Sequence, residues 1–352
     1  MEVPNGWTVK EVGVENAEYG GASFQVTAPT AEAIKAGADA EGHIKVIAVA
    51  EGGSTVTALH PFEKTTGKAV PYKIVGRRAG DVAECYSDPA KAKELLGDRE
   101  DIGILTKILD SAIRLPVQAH PDKAFSEKYF NSKYGKEECW IILATRPGAK
   151  IFFGFKEGTT KEDFIAAIEA SENGGNEMEE LLCSIDVKVG DVIYIPAKMV
   201  HAIGYGCLLL EVQEPTDFTI QPERWCGEYK LSDREMYLGL DREQALECFD
   251  MDKRYPAPLE SQVISEGNGV LYESIINSDI TTSFTVNMVT IDDGFFLLHN
   301  SPAIYVVIEG EGIISGDCYY RDVKKGDYFM IPHSAACRYT VSGKLKIVEC
   351  FA

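Results

Sequence analysis

Short apolar runs set off by glycine- and proline-marked turns dominate this chain, and the spacing within each run predicts strands more often than helices. Phe24-Gln-Val-Thr27 and Ile44-Lys-Val-Ile-Ala-Val-Ala50 are two such runs in residues 1–85, a stretch rich in Gly, Ala, Thr and Val. Ile104-Leu-Thr-Lys107-Ile-Leu-Asp110 reads as the next strand. In Glu138-Cys-Trp-Ile-Ile-Leu143 a period of two puts Glu138, Trp140 and Ile142 on one face. Leu208-Leu-Leu-Glu211-Val-Gln213 is apolar except for two polar residues that share a face.

Helical spacing is confined to a few segments. Ser87-Asp-Pro89 predicts a helix start and Gly97 its end. Thr160-Lys-Glu-Asp-Phe-Ile-Ala-Ala-Ile-Glu-Ala170 and Asn176-Glu-Met-Glu-Glu-Leu-Leu182 open on acidic turns and space their apolar residues by three and four, with Asn173-Gly-Gly175 as the turn between them. Ser232-Asp-Arg-Glu235 has the spacing of a capping box, and Asp241-Arg-Glu-Gln begins a further helical segment. Beyond Tyr255-Pro-Ala-Pro258 strands return, and with them an internal repeat: Gly326-Asp-Tyr-Phe-Met-Ile-Pro332 copies Gly190-Asp-Val-Ile-Tyr-Ile-Pro196. Many short strands with glycine-rich turns suit sandwiches or barrels.

Composition changes the picture in three ways. At 352 residues with 45% hydrophobic content, the chain is long enough for two domains with cores of their own. A formal net charge of -20 argues against nucleic acid and anionic membranes as partners, and an anionic substrate would need a local cluster of Lys and Arg. The nine scattered cysteines, with no Cys-x-x-Cys pair, read as thiols in a reducing compartment. The amino terminus has neither a basic region nor an apolar run, so the cytoplasm is the expected location.

The candidate chemistry is a metal site. In Gln118-Ala-His120-Pro-Asp122, Gln118 and His120 stand at i and i+2 and point the same way if extended. Glu138 follows in Gly135-Lys136-Glu137-Glu138-Cys139-Trp140, and His201 closes Pro196-Ala-Lys-Met-Val-His201. Two imidazoles and a carboxylate suit zinc with an open position, as catalytic zinc requires. His43, His60, His299 and His333 have no such partners. Lys136, two residues before Glu138, falls on the same face if that strand extends back. Glu211 and Gln213 are costly to bury unless they are paired or serve a site.

Gly190, Pro196 and His201 have the spacing of the second cupin motif. The Gln118-x-His-Pro-Asp and Gly135-Lys-x-Glu-Cys-Trp segments resemble those of the type I mannose-6-phosphate isomerases, across residues 100–220. That resemblance implies a mainly β chain built as two cupin, jelly-roll type, β-barrels with helical insertions. The implied domains are a strand-rich segment 1–85, a catalytic barrel 86–225 with a helical insertion at about 160–184, a helical connector 226–254 and a second barrel 255–352. In the second barrel Cys337 stands where His201 stands in the first, which implies a metal-free, structural role.

The implied function is a zinc-dependent aldose–ketose isomerase that interconverts mannose 6-phosphate and fructose 6-phosphate, a small-molecule sugar phosphate being its partner. One zinc per chain would be held by Gln118, His120, Glu138 and His201. Lys136, Glu211 and Arg224 are the catalytic candidates, and Lys107, Gln213 and Gln221 the substrate-binding ones. Two departures bear on this. Gln221 occupies the place of the family's catalytic arginine, leaving Arg224 as the nearest one, and Pro116 occupies the place of a serine associated with the phosphate. They keep open an isomerase or epimerase of another sugar, or a sugar-binding cupin without turnover. Residues 1–85 lack the family's Trp-Gly-Gly segment.

Overall fold

A computed structural model of the chain describes the strands between residues 8 and 85, then Leu96, Gly97, Arg99 and residues 101–352, apart from Asn176 and 253–257. It divides into the units Met1–Ala92 and Lys93–Ala352. The first holds β1 (Thr8–Glu15), β2 (Gly21–Thr27), β3 (His43–Val49), β4 (Thr55–Pro61), β5 (Val70–Ile74) and β6 (Glu84–Cys85). They pair as two three-stranded sheets of order β1-β2-β5 and β3-β4-β6, and the runs expected at Phe24 and Ile44 fall in β2 and β3. The helix expected from Ser87 lies outside the described residues, and Gly97 adopts the left-handed conformation, φ +69, of a helix stop.

The second unit starts with β7 (Leu105–Asp110), α1 (Lys123–Phe130), β8 (Glu138–Thr145), β9 (Lys150–Phe155), α2 (Lys161–Ser171), β10 (Leu182–Asp186), β11 (Val192–Ile195), β12 (His201–Ile203) and β13 (Cys207–Gln213). Two sheets result, β11-β8-β13-β7 and β10-β9-β12. Next come β14 (Trp225–Cys226), β15 (Tyr229–Lys230), α3 (Asp233–Tyr237) and α4 (Arg242–Leu246). The rest is one seven-stranded antiparallel sheet of β16 (Gln262–Gly267), β17 (Val270–Ile276), β18 (Thr285–Leu297), β19 (Ala303–Gly316), β20 (Tyr319–Lys324), β21 (Tyr328–Ile331) and β22 (Thr340–Phe351). No described helix is long and apolar enough to cross a membrane.

The continuous apolar run of β8 follows from burial on both faces. Trp140 and Ile142 join Ile151, Phe153, Ile193 and Leu209 in a core between the two smaller sheets. Cys139 and Ile141 face the other way and pack with Val286, Met288, Val306 and Val348 of the large sheet. Each fully buried apolar side chain contributes about 1.5–3 kcal/mol, so a strand buried on both sides carries no polar face except where chemistry demands one. A third core seats α2 and α3 on the outer face of β9 through Phe152, Phe155, Phe164 and Met236.

Capping side chains set the helix boundaries. Thr160, Ser232 and Asp241 each form a complete capping box, worth about 1 kcal/mol apiece. One expected helix is absent: Glu177–Leu181 is a short 3-10 turn, and Leu182 begins β10. The pairing of Leu182, Ser184 and Asp186 with β9 outcompetes the helical spacing of an acidic segment too short to hold a helix alone. In the repeat, Gly190 and Gly326 both turn with φ near +92, at 92° and 93°, ahead of β11 and β21.

Candidate metal centre

Three chain segments converge on one point. Gln118 and Ala119 do not form a regular strand; they make isolated bridges to His201 and Ile220, which still leave Gln118 and His120 on one side. Immediately afterwards Asp122 caps α1, its carboxylate accepting the Phe125 N–H at 2.8 Å, so the His-Pro-Asp sequence is a strand end joined directly to a helix start. Gly135 is required by proximity: a Cβ there would stand 2.8 Å from the Pro121 carbonyl oxygen. That close approach lets Lys136 N–H donate to the same carbonyl at 3.0 Å and brings the following Glu138 beside His120.

His120, Glu138 and His201 are buried, and one ligand atom from each lies within 4.8 Å of the others. Each histidine donates Nδ1–H to a backbone carbonyl, His120 to Phe218 at 2.9 Å and His201 to Met199 at 2.8 Å. This fixes the tautomer and turns both Nε2 lone pairs inward, 3.1 Å and 3.7 Å from the Glu138 carboxylate. Burial holds both imidazoles neutral, pulling His201 down to about 3. Burial by itself would raise the Glu138 carboxyl, but the positive charge around it, with the Lys136 ammonium 3.0 Å from Oε1, reverses that and holds it well below the usual range.

Neither oxygen of Glu138 receives a hydrogen bond. A buried ionised carboxylate with one ammonium beside it, Lys136 Nζ at 3.0 Å, and no hydrogen bond is incompletely compensated, and a metal ion would complete the compensation. Gln118 completes the set, its amide nitrogen 3.2 Å from His201 Nε2. With the His201 Nε2 lone pair turned inward, the Gln118 N–H donates to it; a metal ion taking that lone pair would favour the amide turned over, with Oε1 at the same point. Two imidazole nitrogens, a carboxylate and an amide oxygen fit zinc.

Lys136 Nζ lies 3.0 Å from Glu138 Oε1 and donates to Thr219 Oγ1 at 3.3 Å, although β8 begins only at Glu138. Glu211 on β13 faces Trp140 and Lys107 across the sheet. Its Oε2 accepts the Trp140 indole N–H at 3.0 Å, and its Oε1 stands 3.5 Å from Lys107 Nζ. Gln213, two residues on, accepts from the same Lys107 at 2.8 Å, so the polar pair read from the sequence is buried because it is paired. Burial, followed by the charge of Glu138, pushes the Glu211 carboxyl up to about 7.

A raised carboxyl pKa stabilises the fold fully below the unfolded value near 4.5, and that contribution disappears as pH climbs to 7. Chelator-treated protein should therefore lose stability between these limits, and Glu211→Gln should flatten that part of the profile in denaturant titrations.

Gln221 and Arg224 are not brought into the cluster. Gln221 donates to the Glu235 carbonyl at 3.1 Å. Arg224 forms a two-pronged pair with Glu172, at 2.8 and 2.6 Å, and also donates to Asp233 and to the Leu231 carbonyl. The expected place of Arg224 in the site is thus corrected: Glu172 at the end of α2 and Asp233 at the start of α3 draw the guanidinium to themselves. Three contributors escaped the sequence reading. Asp217 accepts from Lys107 at 2.9 Å, Thr219 from Lys136, and the Phe218 carbonyl orients His120. They lie in a loop with no period to read, held over the site by stacking of Phe218 on Phe130.

The family model for the mannose-6-phosphate isomerase cupin domain matches residues 275–352. The mannose-6-phosphate isomerase ManA of Bacillus subtilis is 36% identical over 247 residues, 68% of this chain and 71% of its own length. In fold, the chain is similar to a mannose 6-phosphate isomerase structure from Bacillus subtilis, with a TM-score of 0.62 and 24% identity over 75% of this chain and 80% of that one. A zinc-bound mannose 6-phosphate isomerase structure aligns over 87% of this chain and 90% of its own, with a TM-score of 0.57 and 14% identity. The chain gathers two histidines and a glutamate in one buried cluster, and a relative of that identity and coverage makes it a member of the type I mannose-6-phosphate isomerase family of the cupin superfamily.

Proposed function

We propose that this chain is a zinc-dependent aldose–ketose isomerase that interconverts mannose 6-phosphate and fructose 6-phosphate. The observation that carries the reading is the buried His120–Glu138–His201 cluster with two unbonded Glu138 oxygens, flanked by Lys136 and Glu211. Isomerisation takes a proton from the carbon beside a carbonyl and returns it to the neighbouring carbon, so it needs a base that also gives the proton back. Glu211, with its carboxyl near neutrality and its orientation fixed by the Trp140 N–H, suits both halves of that task. Zinc, when bound by Gln118, His120, Glu138 and His201, supplies Lewis-acid stabilisation of negative charge on the sugar oxygens. Lys136 is the second positive charge facing an enediolate, and takes the part for which Arg224 is misplaced. Lys107, with Gln213 beside it, receives the phosphate at the partly exposed end of the site. Zinc-loaded protein given mannose 6-phosphate should form fructose 6-phosphate. Absence of product, together with absence of deuterium uptake from heavy water, would sink the proposal.

Arg224 and Gln221 serve the scaffold in this reading. Arg224→Ala should leave turnover per folded molecule nearly unchanged while costing about 2 kcal/mol of stability, the scale of lost hydrogen bonds to charged groups discounted for exposed partners. Parallel kinetics and denaturant unfolding check it.

The two smaller sheets and the seven-stranded sheet correspond, we propose, to two cupin barrels spanning about 86–225 and 255–352, joined by a helical connector at 226–254. The matched turns at Gly190 and Gly326 support that division. All eight described cysteines are free thiols, which supports a reducing, cytoplasmic setting. The acidic net charge supports small molecules rather than nucleic acid as partners.

A further inference from the structure

Between Thr216 and Ile220 the chain passes over the metal centre as a short span, Asp217-Phe218-Thr219. Its two ends are fixed. The Thr216 hydroxyl donates to the Gly135 carbonyl at 2.6 Å, and Ile220 exchanges two backbone hydrogen bonds with Ala119, at 2.9 and 3.0 Å. Within the span, Asp217, Phe218 and Thr219 make no backbone–backbone hydrogen bond to any described residue. Its position therefore depends on what the side chains grip.

The Phe218 ring lies on Phe130, the last residue of α1, with centroids 4.5 Å apart and planes at 29°. Both rings border a cleft of about 430 Å³ that Arg234 and Leu238 also line, so the Phe218 ring has room to leave once the Phe130 face is gone. The carbonyl of the same residue accepts the His120 Nδ1–H at 2.9 Å. A partner of this kind behind a ligating imidazole is worth about 10- to 100-fold in metal affinity.

Thr219 grips a different group. Its Oγ1 accepts from Lys136 Nζ at 3.3 Å, while its own proton is directed to the Asp217 carbonyl at 3.5 Å. The other two partners of Lys136 Nζ, His120 Nε2 at 3.4 Å and Glu138 Oε1 at 3.0 Å, belong to the ligand set. A metal ion would take the His120 lone pair and draw on the Glu138 carboxylate. Of the three acceptors, the Thr219 hydroxyl is the one that the metal leaves untouched, and an ammonium on a flexible four-carbon stem needs a fixed acceptor to point in one direction.

We propose that Phe130 and Thr219 are positioning residues of the metal centre: Phe130 seats the Phe218 carbonyl that orients His120, and Thr219 aims the Lys136 ammonium in the metal-loaded chain. The first half concerns zinc binding alone. The second rests on the isomerase reading, in which Lys136 faces the enediolate.

Zinc affinity of the folded full chain is read without substrate, by competition with a chromophoric chelator. Phe130→Leu keeps an apolar side chain but no ring face, and should weaken zinc binding by about 10- to 100-fold, with Phe130→Tyr restoring it. Thr219→Val keeps the shape without the acceptor. It should retain zinc affinity and lower kcat for mannose 6-phosphate by about tenfold or more with KM nearly unchanged, and Thr219→Ser should recover most of the loss. Wild-type zinc affinity in Phe130→Leu, or a loss that Phe130→Tyr does not restore, would overturn the role of Phe130. Undiminished kcat in Thr219→Val, or Thr219→Ser no better than Thr219→Val, would overturn that of Thr219. A wild-type chain that binds zinc but forms no fructose 6-phosphate would instead sink the isomerase reading and with it the role of Thr219, while the Phe130 result stands, so the two failures are distinguishable.

Discussion

Alanine at His120 or at His201 will empty the metal centre: zinc should fall from about one ion per chain to near none after dialysis, and turnover should fall with it. The reason lies in how the site is built. Both imidazoles are held neutral with Nε2 inward by carbonyls of their own surroundings, so each supplies a ready nitrogen that nothing else in the site can replace. Three remaining ligands, one of them an amide, hold zinc poorly in an open site. A second readout is independent of activity. Metal bound only by the native state stabilises it by about 3 kcal/mol at a hundredfold excess over Kd, so chelator should lower the melting temperature of the wild type and leave either variant unmoved. Unchanged metal content in the double variant His120→Ala with His201→Ala would show the site assignment to be wrong.

The second large effect concerns Lys136 and Glu211. Lys136→Met and Glu211→Gln should each lower kcat by about 100- to 10,000-fold, the range of a positioned acid–base group, with zinc content retained. Their signatures should differ. On the proposed roles Glu211→Gln removes the proton carrier, so exchange of the substrate hydrogen with heavy water should disappear along with net turnover. Lys136→Met removes charge facing the intermediate and should slow exchange and turnover together. In wild type, kcat/KM should rise with pH as Glu211 ionises. Burial and then the Glu138 charge push the Glu211 carboxyl up to about 7, and zinc on Glu138 would offset the second of these, so the limb should lie at or below that value. Retention of exchange in Glu211→Gln would move the base elsewhere, with Lys136 the next candidate.

Much of the candidate site was legible because its ligands sit at positions where local geometry decides direction. Glu138, Trp140 and Ile142 share a face for the same reason that Cys139 and Ile141 share the other, and the two sets pack into different cores. Likewise, Glu211 and Gln213 both reach Lys107 from one face of β13. Where local geometry does not decide, the reading stopped. Leu182 belongs to β10 because a neighbouring strand offers it hydrogen bonds, and helical spacing carries no information about that neighbour.

Arg224 marks the boundary most clearly. By itself the sequence pointed to the His120, Glu138 and His201 cluster, the face of β8 that carries Glu138, the capping boxes that start α2 and α3, and the mainly β character of the chain, all from motifs, periods and caps a few residues long. Only the tertiary structure decided which cations stand beside the His120–Glu138–His201 cluster and which are drawn elsewhere. A long side chain goes to whichever carboxylate the fold brings near: Glu172 lies 52 positions from Arg224, and Glu211 and Asp217 lie 104 and 110 from Lys107. Separations of that size are closed by packing of the cores, and no pattern along the chain encodes them.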